Sequence, residues 1–350
     1  MTVTVERVRA PVSPNEIRAR IARVPRVSLA LLPTPLHELP RLAAELGIGR
    51  LFVKRDDLTG LAFGGNKARN LEFRMADAVA QGAEVFIAGL EAQSNSARMV
   101  TAAANLLGMQ AELVLRRDPA REFDWQGNLL VDRVLGASVR FVSTSSADEM
   151  DRALLAVAAE VRAAGRKPFV MNHAPSFAMG SAVAYVLCTL EIVEQLGALG
   201  VAPTHLYMAS GNKGHAGLIV GRKLLGLAYR TVAISQHYAD DRVSGAVGAA
   251  LDALRAMDWE LDVSAADVES YDSYVETAYG SPSPSGLAAL RLCARLESLL
   301  LDPIYTAKAM AGLIDHARRG LLGASDVVVF IHTGGLPALF AFKDDILAAL

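Results

Sequence analysis

Short apolar runs alternate with stretches of helical periodicity along almost the whole chain, and this alternation limits the folds open to it more than any other feature. Strands are expected at Leu51 to Lys54, Glu84 to Ala88, Ala111 to Leu115, Ser138 to Val142, Phe169 to Met171, Leu206 to Met208, Thr231 to Ile234 and Val327 to Ile331. Several are continuously apolar, the pattern of parallel strands covered on both faces. Between them the spacing predicts helices over Asn66 to Gln81, Ser96 to Leu107, Ala147 to Ala164, Met179 to Leu196, His215 to Leu225 and Pro284 to Leu299. Right-handed βαβ crossovers then lead to an α/β fold with open, twisted, mostly parallel sheets flanked by helices.

A chain of 350 residues can build a large core and two lobes. Its formal net charge of -2 argues against nucleic acid or an anionic membrane as the main partner. The N-terminus lacks the apolar centre of a signal peptide, and no run is expected to reach transmembrane length. Cys188 and Cys293 each sit in an apolar helical run, so they read as buried hydrophobes in a reducing, cytoplasmic setting. The 7 histidines show no zinc-type spacing, and no metal is expected.

Four segments carry groups with chemistry. In Gly64-Gly65-Asn66-Lys67 a lysine opens a helix after a glycine approach. The helix dipole and any burial both disfavour its ammonium form, which suits a neutral amine nucleophile of the Schiff-base type. The alternative is a surface lysine in the first turn. Ser94 and Asn95 fall at a strand-to-helix turn, where one of them caps the helix or both face a ligand at the carboxyl end of a parallel strand. Ser210-Gly-Asn-Lys-Gly214 follows an apolar strand and opens another helix, which makes it an anion site or an ordinary βα turn. Near the C-terminus, Tyr305 and His332-Thr333-Gly-Gly present hydroxyls beside tight turns. Tyr305 is an acid, a base, or a core ring.

Taken in this order, these motifs resemble those of the fold-type II (tryptophan synthase β-like) pyridoxal-phosphate enzymes, and within them the D-cysteine desulfhydrase and 1-aminocyclopropane-1-carboxylate deaminase family. The resemblance runs from LLPTPLHELPRLAAELG through VKRDDLTG and GGNKAR to HTGG, most of the chain. It implies a two-domain enzyme with pyridoxal 5'-phosphate as cofactor. The large domain would comprise residues 1–69 and 173–350, and a smaller α/β domain 70–172. Lys67 would bind the cofactor covalently and move the substrate's α-proton. Asn95 would meet the cofactor's phenolic oxygen, and Thr333 its ring nitrogen. Ser210, Gly211, Asn212, Lys213 and Gly214 would hold its phosphate. Ser94, Ser96, Tyr279 and Tyr305 would face the substrate, with Ser94 and Tyr305 assisting proton transfer. Relatives of this kind are commonly homodimers acting on small amino acids.

Within the family, ring-opening deaminases typically carry Glu after the equivalent of Tyr305 and Leu in the H-x-G-G motif, whereas this chain has Thr306 and Thr333. That choice implies α,β-elimination from a D-cysteine-like amino acid to a 2-oxo acid, ammonia and sulfide. The alternatives are deamination of the cyclopropane amino acid and β- or γ-substitution in a biosynthetic reaction. The chain departs from the family pattern at Ser96, Asn70, Ser298 and Ala307, in Asn172-His-Ala-Pro-Ser-Phe177, and in a shortened phosphate turn that lacks its Thr. Lys213 would compensate there by direct charge.

Overall fold

All eight expected strands form, and they sort into two sheets. The computed structural model describes residues 6–117, 124–174 and 176–350. The larger sheet runs Glu269–Tyr271, Arg230–Ile234, His205–Ala209, Val327–Ile331, Arg50–Lys54 and Leu36–Glu38, parallel except for the last pair. The smaller one runs Ser138–Val142, Gln110–Arg116, Val85–Glu91 and Pro168–Val170, all parallel. Of these two sheets the chain enters the larger first, builds the smaller one, and returns to the larger.

Burial on both faces explains the continuous apolar strands. Leu51, Val53, Val328 and Phe330 pack to one side, with Cys293, Met310 and Leu313 of helices Pro284–Glu297 and Thr306–Arg318. Their alternates Phe52, Val329 and Ile331 pack to the other, with Tyr185, Cys188 and Leu218. Strand periodicity of two delivers successive side chains to opposite faces, so the middle positions of these strands are apolar on both.

The six expected helices also form, within three residues of their expected limits. Helix Ser176–Ala198 is longer than the spacing predicts. Its 23 residues, with a mean hydropathy of 1.7 over its most apolar window, could span a bilayer by length and composition, contrary to the reading that no run is long enough. It is a core helix instead, two-thirds of that window being buried, and it packs on Lys67–Ala80, Lys213–Leu224 and Arg242–Ala256. Helices Gly127–Val134, Arg242–Ala256 and Thr306–Arg318 lie outside the expected set. Glycine and alanine blunt the apolar stripe of Arg242–Ala256, while Thr306–Arg318 buries Thr306, Lys308 and His316 on its inner side.

A buried ionic cluster fixes the helix that Lys67 opens. Arg69, 1% exposed, donates to both oxygens of Asp56 (2.9 and 2.8 Å) and to both oxygens of Glu191 (2.7 and 2.8 Å). The fully buried Lys54 ammonium lies 2.7 Å from Glu191. The cluster thus links strand Arg50–Lys54, helix Lys67–Ala80 and helix Ser176–Ala198.

Candidate active site

A cavity of about 310 Å³ opens at the carboxyl ends of strands from both sheets, and all twelve site residues expected from the sequence line it. Lys67 enters from its helix start, Ser94 to Ser96 from the turn after Val85–Glu91, and Ser210 to Gly214 from the turn after His205–Ala209. Tyr279, Tyr305 and Thr333 complete it. Parallel strands leave such clefts at their carboxyl ends because the crossover loops there diverge.

Glycine geometry sets the position of Lys67. Gly64 has φ 69°, and a Cβ there would stand 1.9 Å from the Asp57 carbonyl oxygen, so no other residue fits. The Thr59 hydroxyl donates to Gly65 O and accepts from Gly65 N, both at 2.8 Å. Asn66 N donates to Thr333 O at 3.0 Å. Gly334, with φ 92°, lies so close that a Cβ would come within 2.6 Å of Gly65 Cα. The two glycine pairs, far apart in sequence, therefore lie back to back and hold Lys67 and Thr333 in one cavity.

Burial pulls the Lys67 pKa down to about 8, and the positive charges of Arg74 and Lys213 add to the effect. Among the described residues no aspartate or glutamate lines the cavity. At physiological pH a minor but substantial share of the amine is therefore neutral, far more than for an ordinary lysine.

Ser94 does two things that the sequence offered as alternatives. It caps helix Asn95–Leu106, accepting from Ser96 N at 3.1 Å and Ala97 N at 3.4 Å, and it still lines the cavity. Asn95 is oriented from behind: Asn128 donates to Asn95 Oδ1 (3.0 Å), and Arg98 Nε in turn donates to Asn128 Oδ1 (2.8 Å). Arg98 Nη2 also reaches Gly64 O at 3.2 Å, tying this relay to the Lys67 loop.

Tyr305 is set by Asp302, whose fully buried carboxylate accepts from the backbone N–H groups of Ile304, Tyr305 and Thr306. Its hydroxyl meets that of Tyr279 at 3.0 Å. Burial, reinforced by Tyr279, holds the Tyr305 phenol well above its ordinary pKa, so it stays protonated at neutral pH. Lys308 donates to Val275 O at 2.9 Å and anchors the segment leading to Tyr279. Thr306, adjacent to Tyr305, does not face the cavity: it is fully buried with its hydroxyl on Asp302 Oδ1 at 2.6 Å. Only Thr333 of the two threonines lines the site.

The sequence reading missed Arg74, Phe177, Gln236 and His237 as lining residues. Gln236 and His237 directly follow strand Arg230–Ile234, and the strand-end rule applied to the other strands would have found them. Burial lowers the His237 pKa, which favours a neutral imidazole. Arg74 lies seven residues beyond Lys67, on the same helix face. Phe177 falls within the Asn172 to Phe177 departure, of which Pro175 lies outside the described residues.

Comparison with known proteins gives one consistent result. The family described as pyridoxal-phosphate dependent enzyme matches residues 27–334. A D-cysteine desulfhydrase of Klebsiella pneumoniae (strain 342) is 38% identical over 330 residues, covering 92% of this chain and 97% of that protein. A D-cysteine desulfhydrase of Yersinia pestis (strain Pestoides F) is 36% identical over 334 residues, 94% of this chain and 99% of its own. Among solved structures, an ACC deaminase homologue at 33% identity superposes with a TM-score of 0.86, over 97% of this chain and all of that one. The threonine deaminase of T.th., at 21% identity and a TM-score of 0.60 over 93% of this chain and 98% of its own, shares the fold.

Proposed function

The chain belongs to the pyridoxal-phosphate-dependent enzyme family, and we propose that it is a lyase that eliminates the Cβ substituent of a small D-cysteine-like amino acid, giving a 2-oxo acid, ammonia and sulfide. The observation that carries this reading is the meeting of Lys67, Asn95, the Ser210 to Gly214 turn and Thr333 in one cavity lined, among the described residues, by no carboxylate.

The residues present fit the cofactor. Lys67 offers an amine with a pKa of about 8, and the turn before helix Lys213–Leu224 offers backbone N–H groups and a lysine to a phosphate. Two buried polar atoms at the cavity, Asn70 Oδ1 and Arg74 Nε, have no partner among the described residues. Bound there, the cofactor supplies the electron-withdrawing ring that acidifies the substrate's Cα–H.

The chain's own groups do the rest. Lys67 in its neutral form takes the proton from Cα. Tyr305, protonated and held by Asp302 and Tyr279, gives a proton to the departing sulfur, with Ser94 assisting. Ser96 and Tyr279 hold the substrate, Ser96 at its carboxylate. Asn95 would donate to the cofactor's phenolic oxygen through Nδ2, its Oδ1 being taken by Asn128. Thr333 would be the group at the ring nitrogen, where a hydroxyl would not hold a proton as a carboxylate does, so electron withdrawal would be weaker. That suits loss of a good leaving group.

The likeness to an ACC deaminase homologue supports a second reading, ring opening of the cyclopropane amino acid. Supplying both substrates to the cofactor-loaded enzyme separates the two: 2-oxobutyrate from the cyclopropane amino acid exceeding pyruvate from D-cysteine would replace the first reading by the second. The altered Ser96 position supports a third, β- or γ-substitution, which would leave little oxo acid released. We take the enzyme to act in the cytoplasm as a homodimer, with 1–69 and 173–350 as the large domain and 70–172 as the smaller. The free, buried Cys188 and Cys293 support the compartment, and the separate four-stranded sheet supports the division.

A further inference from the structure

Arg74 is a buried charge with no counter-charge among the described residues. It is 5% exposed and lines the cavity. Its Nη2 donates to two neutral acceptors, Phe177 O at 2.6 Å and Ser181 Oγ at 2.7 Å, while Nε is buried without a partner among the described residues. A guanidinium in such a place ordinarily pairs with an anion, because its desolvation is otherwise uncompensated.

A second cation shares its surroundings. Lys213 Nζ lies 3.9 Å from the centroid of the Phe177 ring, and Arg74 Cζ lies 4.3 Å from the same centroid. One phenyl ring thus carries two positive groups, a weak substitute for an anion. Lys213 is also the first residue of helix Lys213–Leu224, and the Ser210 to Gly214 turn at this helix start lines the cavity. Asp241 attracts Lys213 but lines no part of the cavity. Two side-chain cations and a helix N-terminus so arranged call for a group of about two negative charges with several oxygens. A phosphate monoester meets that description at neutral pH, and a single carboxylate does not.

We propose that Arg74 is a ligand of the cofactor's phosphate, acting with Lys213 and the helix N-terminus in place of a purely backbone cradle. This rests on the cofactor assignment above. It also gives Phe177 a role, since its ring lies against both cations.

The test compares pyridoxal 5'-phosphate with pyridoxal, which lacks only the phosphate. Both are titrated by absorbance into full-length protein stripped of cofactor, as wild type, Arg74→Leu, Arg74→Lys and Lys213→Met, each first shown to be folded by circular dichroism. Arg74→Leu should weaken the phosphorylated cofactor at least about tenfold relative to pyridoxal, the worth of one charged hydrogen bond. Arg74→Lys should recover part of that ratio, and inorganic phosphate should raise the melting temperature of the stripped wild type more than that of Arg74→Leu. An equal loss with both ligands would make Arg74 a structural residue and overturn the proposal. An unchanged cofactor affinity with a raised substrate KM would overturn it in favour of substrate binding. Wild-type protein that binds neither ligand would instead defeat the cofactor assignment itself.

Discussion

Asn128 donates its side-chain N–H to Asn95 Oδ1 at 3.0 Å, which leaves Asn95 Nδ2 as the group offered to the cavity. Arg98 fixes the orientation of Asn128 by donating to its Oδ1 at 2.8 Å. An amide can turn either way, so the relay decides whether Asn95 presents a donor or an acceptor. Asn128→Asp offers only acceptors and should draw Asn95 Nδ2 backwards. Cofactor affinity is expected to fall about tenfold, the loss of one hydrogen bond of about 1.4 kcal/mol, while the new carboxylate pairs with Arg98 and preserves the fold. Titration with pyridoxal 5'-phosphate alongside a thermal melt checks this; unchanged affinity would show that Asn95 does not depend on the relay.

Lys67 should give cofactor capture a distinctive pH dependence. Its pKa of about 8, against 10.5 for an ordinary lysine, means that the reactive neutral amine fills as pH rises through 8. The capture rate of stripped protein should rise with a midpoint there, and Lys213→Met, which removes a neighbouring positive charge, should move that midpoint upward. The sign for stability follows from linkage. Between about 8 and 10.5 the unfolded chain binds a proton that the folded chain does not, so stripped protein should gain stability as pH rises across this window. Urea unfolding of wild type and Lys67→Met at both ends of the window measures the difference, and identical slopes would refute a depressed pKa.

Tyr305→Phe removes the hydroxyl that meets Tyr279 at 3.0 Å and keeps the ring. Turnover should drop by ~10²–10⁴, the ordinary worth of a positioned acid, with the cofactor spectrum unchanged. In the wild type this phenol stays protonated across neutral pH, so it should add no inflection to kcat between about pH 6 and 9. Retained turnover in the variant would move the proton donor elsewhere, with Ser94 the next group to replace.

The Arg69 cluster is where stability concentrates. Asp56→Ala would leave a guanidinium that is 1% exposed short of its carboxylate, at a cost of about 3–5 kcal/mol. Adding Arg69→Met should restore part of it. Burial alone would raise the Glu191 pKa, yet the hydrogen bonds and charge of Arg69 hold it below the ordinary carboxylate range. That contribution should be lost as pH falls through the lowered folded-state pKa. Urea midpoints of the single and double variants test the cluster, and additive losses would show that the pair is not coupled.

How far the sequence reached depended on how local each signal was. Strand Val327–Ile331 and the helix opened by Lys67 were legible because both faces of the one and the inner stripe of the other are apolar. Ser94, Lys213 and Thr333 were legible because each follows a strand at a turn, the place where such folds present ligand-binding groups. Asn128 and Arg74 were not. Each sits inside a helix, where nothing in its own neighbourhood distinguishes a polar group turned inward from one turned to solvent. Only the fold brings Asn128 to Asn95, and Arg74 to Phe177. Thr306 shows the converse: adjacency to Tyr305 suggested a place in the chemistry, but one step along a helix start turned its hydroxyl onto Asp302.

The most direct test is to give the cofactor-loaded enzyme D-cysteine and follow pyruvate and sulfide together, with L-cysteine and 1-aminocyclopropane-1-carboxylate in parallel. The account predicts equimolar pyruvate and sulfide from D-cysteine, abolished by Lys67→Ala, and a slower reaction or none with the other two. A cofactor spectrum that responds to D-cysteine while neither product accumulates would contradict it.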